Sequence, residues 1–430
     1  MGFSSLLLCF AAAAGPEPEP ERPNVVLILA DDMGSECVGC YGGTSYATPH
    51  LDALAASGMR FTHAYSTPLC TPSRVKLMTG RSGIRNYAHF SILDREERTF
   101  AHALGAAGYR TAVVGKWQLL GAEHYGERAG TGTGPADAGF ERWLLWQVDR
   151  LGSRYWDPLL ERDGELLEGT EGRYGPDLFC EFALGYVDEH ADEPFFLYYP
   201  MALPHSPFVP TPASADRTSG DRARNFADMV AYVDAVVGRV VGQLERLGLR
   251  ERTLVLFTCD NGTSRSIVSV RDGREVTGGK RLTTDAGTRV PLIASWPGTV
   301  PAGSVCDDLV DFSDFLPTLV EFAGAEPEPG AVLDGRSFLP QLQGEPGTPR
   351  EWLYCYYNPR PGKADWPEVR YVQDARFKLY GDGRLYDLVD DPLEERPLER
   401  DGLAVEAEAA LRKLRGALDS MPREPAKLRP

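Results

Sequence analysis

Two acidic sets stand directly after strongly apolar runs. Asp31 and Asp32 follow NVVLILA at residues 24–30, and Asp260-Asn261-Gly262 follows TLVLFTC at residues 253–259. Adjacent carboxylates repel one another unless a cation lies between them. Taken singly, the first set also reads as a solvated loop pair and the second as an Asx turn. Taken together, Asp31, Asp32, Asp260 and Asn261 offer four hard oxygen donors, which suit Ca²⁺ or Mg²⁺ rather than a soft metal. A third set is Cys70-Thr71-Pro72-Ser73-Arg74, continuing to Thr79-Gly80-Arg81. Pro72 suits the first turn of a helix starting near Thr71. Cys70 then sits at the positive end of that helix, near the Arg74 guanidinium, a position that stabilises an anion. A lone cysteine is otherwise a small buried hydrophobe.

These residues need a frame that brings strand ends together. Apolar runs recur at residues 24–30, 111–114, 194–199, 253–258 and 291–295. They do not alternate, so they read as strands buried on both faces, as in a largely parallel sheet. Helical patterns lie between them. Thr48 and Pro49 open one, and residues 226–247 carry Met229, Val233, Val236, Val240 and Leu244 at helical spacing. The alternation implies α/β with helices covering both faces. Open sheets of that kind hold ligands at the carboxyl ends of their strands, where both acidic sets lie. After about residue 340 the pattern changes. Residues 352–357, 369–372 and 377–380 are short, aromatic-rich and separated by turns, which predicts a small antiparallel sheet. Residues 403–418 then read as a helix with Leu411, Leu414 and Leu418 on one face. The Pro/Gly-rich stretch 343–349 marks a boundary between a main domain, 23–342, and a C-terminal subdomain, 350–430.

The chain has 430 residues, with 45 Lys+Arg against 62 Asp+Glu, a formal charge of −17. That balance argues against nucleic-acid binding, which needs basic stripes, but leaves room for a small cationic pocket. Residues 6–14 form a short apolar run ending in small residues, followed by alternating Pro and Glu. This order fits a signal peptide and linker over 1–22, and so a periplasmic or secreted protein, although residues 1–5 carry no Lys or Arg. No other apolar run is long enough to span a bilayer, so no stable membrane insertion is expected. Cys37-Val38-Gly39-Cys40 has CxxC spacing, with no second pair to complete a zinc site.

With these motifs in place, the sequence resembles the sulfatase family of the alkaline-phosphatase-like superfamily. Cys70-Thr71-Pro72-Ser73-Arg74 with Thr79-Gly80 is similar to the family signature, Cys-x-Pro-Ser-Arg followed by Thr-Gly. NVVLILADDMG at 24–34, Gly115-Lys116-Trp117, ALPHSP at 202–207, FTCDNG at 257–262, Gly278-Gly279-Lys280 and RVPLIASWPG at 289–298 also match in the family's order. LYDLVDDP at 385–392 resembles the family's C-terminal close, so the resemblance covers about residues 23–396. It implies a large mixed, mostly parallel sheet flanked by helices, with a small C-terminal antiparallel sheet plus helix. It implies that a formylglycine-generating maturation enzyme converts Cys70 to Cα-formylglycine. The hydrated aldehyde, a gem-diol, would attack sulfur, and its second hydroxyl would expel sulfate. Asp31, Asp32, Asp260 and Asn261, with residue 70, would hold one divalent cation, usually Ca²⁺, with Mg²⁺ as the alternative. Arg74 would orient the diol, Lys116 and Lys280 would hold sulfate oxygens, and His205 would serve the leaving oxygen.

One position departs from the family pattern. After Gly-Lys-Trp the family has His, credited with taking a proton during sulfate release; this chain has Gln118. Gln forms hydrogen bonds but does not titrate. A subgroup that works with Gln, a substitute such as His124, or a binder of sulfated glycans without turnover each follows from this change. The first is favoured because Cys70, Arg74, Lys116, His205, Lys280 and the metal donors are all present. A second, milder departure is TTDAG at residues 283–287, where the family commonly has a Glu-Gly-Gly stretch; Asp285 stands in for that Glu and is assigned no catalytic role. Substrate specificity is expected on loops, here residues 86–94 and 143–157, the latter holding Trp146, Gln147, Arg150, Arg154 and Trp156. Aromatic rings with arginines suit a sulfated sugar. A phosphate or phosphonate monoester hydrolase is the rival within the superfamily.

Overall fold

The computed structural model describes residues 22–328, 330–360 and 366–425. The expected signal peptide and linker, 1–22, lie outside the described residues except for Arg22. Among the described residues, sixteen strands follow one another. The first eight are β1 (Asn24–Ala30), β2 (Met59–Tyr65), β3 (Arg110–Lys116), β4 (Arg142–Trp146), β5 (Leu160–Arg162), β6 (Glu165–Leu166), β7 (Phe195–Pro200) and β8 (Thr253–Cys259). The others are β9 (Val268–Arg271), β10 (Arg274–Thr277), β11 (Arg289–Ser295), β12 (Ser304–Asp311), β13 (Leu353–Tyr357), β14 (Val369–Gln373), β15 (Phe377–Tyr380) and β16 (Leu385–Asp387).

The continuous apolar runs become the centre of a ten-stranded sheet ordered β12-β2-β11-β8-β1-β7-β3-β4-β5-β6. Strands β1, β7 and β8 are buried at every position, as unbroken Val/Ile/Leu/Phe runs require when helices cover both faces. The sheet is mixed and mostly parallel: β1 runs parallel to β7 and β8, and β3 to β7 and β4. The 291–295 run differs from the parallel setting expected for it. It belongs to β11, which is antiparallel to both β8 and β2. Full burial produces the same apolar run whichever way a strand points, so composition cannot report direction.

Register does the positioning. Ala30 of β1 pairs with Cys259 of β8, so Asp31-Asp32 and Asp260-Asn261 leave the sheet side by side. The Asp260 amide donates to the Ala30 carbonyl at 3.0 Å, and the Asp31 amide to that of Leu203 at 2.8 Å. At the end of β3, Gly115 has φ 124°, and a Cβ there would lie 2.1 Å from the Pro200 carbonyl oxygen. Only glycine permits that approach, which lets β3 deliver Lys116 beside β7.

The Cys70–Thr79 helix is buried along its whole length although its sequence, CTPSRVKLMT, is largely polar. Its polar groups are paired within the protein. Ser73 closes onto the Thr67 and Leu69 carbonyls at 3.1 and 2.9 Å. Lys76 donates to Asp311 at 2.5 Å and to the Tyr354 carbonyl at 3.2 Å. The helix starts at Cys70 with Leu69 extended before it, one residue earlier than Pro72 indicates. Gly80, at φ 66°, ends it.

Strands β13 to β16 form the expected small antiparallel sheet, and the Val405–Ser420 helix packs on it through Ala407, Ala410, Leu414 and Ala417. Residues 343–349 carry no helix or strand. Yet Tyr65, Leu69 and Cys70 share one apolar cluster with Leu353, Cys355, Tyr371 and Tyr380, so the C-terminal sheet backs the start of the Cys70 helix. No helix among the described residues is long and apolar enough to cross a membrane.

Candidate active site

Asp31, Asp32, Cys70, Arg74, Lys116, Asp260 and Asn261 converge as buried residues at the carboxyl end of the sheet. Gln118, His205 and Lys280 complete the group, each partly exposed. Cys70 and Arg74 lie one helical turn apart and share a face. Arg74 donates from Nε and Nη2 to Asp260 Oδ2 at 3.1 and 2.9 Å, and from Nη1 to the Lys116 carbonyl at 3.1 Å. Lys116 Nζ lies 2.8 Å from Asp31 Oδ2, and Lys280 Nζ lies 2.5 Å from Asp32 Oδ2. Asn261 Nδ2 donates to Asp32 Oδ1 at 2.8 Å. The Cys70 thiol faces Gln118 Oε1 at 3.8 Å. His205 Nε2 stands 3.5 Å from Asp32 Oδ2. Its Nδ1 faces the Ser206 carbonyl at 2.6 Å and Arg154 Nη1 at 3.2 Å.

Burial and charge work against each other here. Burial raises Asp31, but Lys116, His205, Arg74 and Lys280 more than reverse it and hold it well below the usual carboxylate range. Burial likewise raises Asp32, and Lys280 and His205 bring it down. Burial and then the Asp31 charge push Asp260 up to about 7, against Arg74 and Lys116. Burial lowers His205 to about 4 despite Asp32 and Asp31, so the ring is neutral at neutral pH.

The oxygen donors fit a hard cation. Asp31 Oδ1 and Asn261 Oδ1 are buried with no hydrogen-bond partner, an arrangement that is costly unless an unseen ligand satisfies them. One ligand atom each from Asp31, Cys70 and Asp260 lie within 4.8 Å of one another, as do those of Asp31, Asp32 and His205. Three carboxylates already face three basic side chains, so an added divalent cation would leave the floor net positive, as binding of an anion requires.

Backbone strain concentrates at the same place. Of nine non-glycine residues with positive φ among those described, Asp32, Gln118, Gln147 and Arg281 belong to the floor or wall of this site. Such conformations cost about 1–3 kcal/mol each and cluster where function over-determines them. Gln118 and Gln147, at φ 56° and 57°, extend the paired ends of β3 and β4, with the Gln118 amide donating to the Gln147 carbonyl at 3.0 Å.

Above the floor opens a cleft of about 510 Å³. Trp146, Gln147 and Arg154 from the expected specificity segment line it, as do Phe90 and His124. Residues 143–146 belong to β4 rather than to a loop. Arg150 and Trp156 lie outside the lining: Arg150 is beside Asp149, and Trp156 donates to the Pro210 carbonyl and packs on Tyr174. Asn86 is buried on Thr79 and Glu97. Sequence reasoning missed Tyr125, Arg128, Arg281, Arg360 and Trp366 on the rim. Only Arg281, next to Lys280, carried a sequence signal. Asp285 sits at Tyr65 and Arg289. Cys37 and Cys40 are unbonded thiols, the first raised well above its usual range by burial and the second pushed up to about 12, opposite to what a redox pair needs.

Residues 23–325 match the Sulfatase family model, and residues 277–419 match N-sulphoglucosamine sulphohydrolase, C-terminal. Arylsulfatase A of Homo sapiens is 36% identical over 415 residues, covering 87% of this chain and 77% of that protein. N-acetylgalactosamine-6-sulfatase of Canis lupus familiaris is 33% identical over 394 residues, covering 82% and 72%. Among solved structures, one in complex with its substrate D-glucosamine-2-N,6-O-disulfate superposes with a TM-score of 0.77 at 22% identity, covering 93% of this chain and 98% of that one. At that identity the likeness speaks for the fold alone.

Proposed function

The chain belongs to the sulfatase family and is an enzyme of that family, and from that premise we propose that it hydrolyses sulfate monoesters of carbohydrates. Residue 70 acts as formylglycine, which supplies the attacking oxygen once hydrated. Asp31, Asp32, Asp260, Asn261 and the residue-70 side chain hold one Ca²⁺, which supplies charge stabilisation to the nucleophile and the sulfate. The observation that carries this reading is the register of β1 with β8, which sets both acidic pairs beneath Cys70 and Arg74.

The protein's own residues divide the work. Arg74, fixed by three hydrogen bonds, orients residue 70. Lys116 and Lys280 each have three ammonium donors and direct one at a carboxylate, leaving two for sulfate oxygens. Each preorganised donor of this kind is worth about 10²–10³ in rate. His205 Nε2, 3.5 Å from Asp32 Oδ2, is the ring nitrogen turned to the floor, and a proton carried there is donated to the leaving alcohol oxygen. Gln118 accepts from residue 70 and orders water there in place of a titrating base. The sugar class is supported by the Trp146, Gln147 and Arg154 wall and by the 33% identical N-acetylgalactosamine-6-sulfatase. The apolar run at 6–14 supports export to the periplasm or exterior.

The test is release of inorganic sulfate from a panel of sugar sulfates by protein made with a formylglycine-generating enzyme. Release that is lost in Cys70→Ala supports the reading. Faster cleavage of phosphate or phosphonate monoesters than of every sulfate ester overturns it.

A further inference from the structure

The floor is arranged for one anionic group, and the rim holds more positive charge than one group needs. Among the described residues, none that lines the cleft is Asp or Glu, in a chain with 62 acidic and 45 basic residues. Arg128, Arg154, Arg281 and Arg360 all line it. Among the described residues none of these four pairs with a carboxylate. Arg128 faces His89, Arg154 faces His205 and the Trp146 ring, and the Arg281 and Arg360 guanidiniums face the Trp366 ring. Many arginines elsewhere find acids, as Arg142 finds Asp163, Arg350 finds Asp314 and Arg376 finds Asp387, while others, such as Arg95 and Arg250, are satisfied by carbonyls; the cleft is distinct in gathering four without an acid at one opening. Four unneutralised guanidiniums around one opening repel one another until an anion joins them.

Arg281 is held there by its backbone. Its amide donates to the Pro68 carbonyl at 2.8 Å, and that of Lys280 to the Thr263 carbonyl at 2.9 Å. A Cβ on Gly278 or Gly279 would fall 2.3 Å from the Ser264 or Ala286 backbone, so the loop is pressed inward. Arg281 itself takes φ 76°, a left-handed conformation rare for arginine. The same loop therefore puts Lys280 in the floor and Arg281 on the rim. There Arg281 and Arg360 stand over one indole, their Cζ atoms 5.4 and 5.2 Å from the Trp366 ring centre. Two planar forks beside an aromatic face suit an oxyanion carried on a sugar ring.

We propose that Arg281, Arg360 and Trp366 form a subsite for a second anionic group of the substrate, a sulfate or a carboxylate, so that the enzyme prefers polyanionic carbohydrates to monoanionic sulfate esters. This rests on the sulfatase reading of the floor. Both arginines are exposed, so replacing them leaves the fold intact. The experiment is calorimetric titration of Cys70→Ala protein, which consumes neither ligand, with a methyl galactoside monosulfate and the matching disulfate. The disulfate binds at least about tenfold more tightly, as one charge-assisted contact provides. Arg281→Gln with Arg360→Gln brings the two ligands to within about threefold of each other. Arg246→Gln, on the remote Arg222–Arg246 helix, removes the same kind of charge and keeps the preference. Equal binding of the two ligands, or a preference that survives the double substitution, overturns the proposal. Hydrolysis of 4-nitrophenyl sulfate by the converted enzyme is measured in parallel. Its absence with the disulfate preference intact counts against the floor reading and leaves the subsite standing.

Discussion

Replacing Gln118 by His tests how the site turns over without the family's titrating residue. Gln118 Oε1 lies 3.8 Å from Cys70 Sγ, and its backbone is tied to Gln147 at φ 56°. His tolerates that left-handed region better than most residues, so the ring is delivered to the same place with little added strain. A positioned general base contributes about 10²–10⁴ in rate, or roughly 3–5 kcal/mol of barrier. If the site merely lacked such a base, Gln118→His would recover much of that. With Gln118 working by hydrogen bonding and ordered water, Gln118→His instead changes kcat by less than about tenfold. Gln118→Ala removes a hydrogen bond worth about 1–3 kcal/mol and lowers kcat by about 5–150-fold. The assay is steady-state sulfate release, with conversion of residue 70 measured in each variant so that maturation and chemistry separate. A rise of about a hundredfold or more in Gln118→His refutes the hydrogen-bonding role.

Three further outcomes follow from the same geometry. Dialysis against a chelator abolishes sulfate release and lowers Tm, and Ca²⁺ restores both, since a ligand at a hundred times its Kd adds about 2.7 kcal/mol to the folded state; an unchanged Tm contradicts the metal assignment. His205→Ala costs about 10²–10⁴ on sugar sulfates, whose alcohols need a proton as they leave, and much less on 4-nitrophenyl sulfate; equal losses on both remove the leaving-group role. Lys76→Met strips the partner from Asp311, with side chains only 2% and 1% exposed, and costs about 3–5 kcal/mol by the urea midpoint. Burial raises Asp311, but Lys76 and Arg350 hold it below its unfolded value. Its stabilisation is therefore present above the unfolded carboxylate pKa and is lost as pH falls through the folded one. In Lys76→Met the folded pKa of Asp311 rises toward or past its unfolded value, so the acid loss that Asp311 contributes shrinks, and an acid limb identical to that of the wild type counts against the pair.

The parts of the site fixed by strand ends were legible because fully buried strands write themselves as unbroken apolar runs. Asp31-Asp32 and Asp260-Asn261 could be set at carboxyl ends from the sequence, and the sheet order then makes them neighbours. Strand β2, MRFTHAY, and strand β12, SVCDDLVD, were not legible, since partial burial mixes Arg, His and Asp into them. Strand β4, RWLLW, read as a specificity loop because aromatic residues and arginines gather there; its tip, Trp146, does line the cleft although it ends a strand. The rim was hidden for a different reason. Arg128, Arg281 and Arg360 are far apart in the chain, and only the C-terminal sheet packing behind the Cys70 helix brings Arg360 and Trp366 to the opening. Lys76 was hidden as well: one lysine in a polar helix gives no sign that it is buried against Asp311.

Everything proposed for the chemistry depends on Cys70 being the precursor of the nucleophile. The tryptic peptide spanning residues 61–74 reports it directly, from protein made in cells that convert a control sulfatase. The expected result is the loss of mass that accompanies replacement of the thiol by an aldehyde, with sulfate-ester hydrolysis rising in proportion to the converted fraction. A peptide that keeps its thiol, while the control is converted and hydrolysis still proceeds, contradicts that role for Cys70.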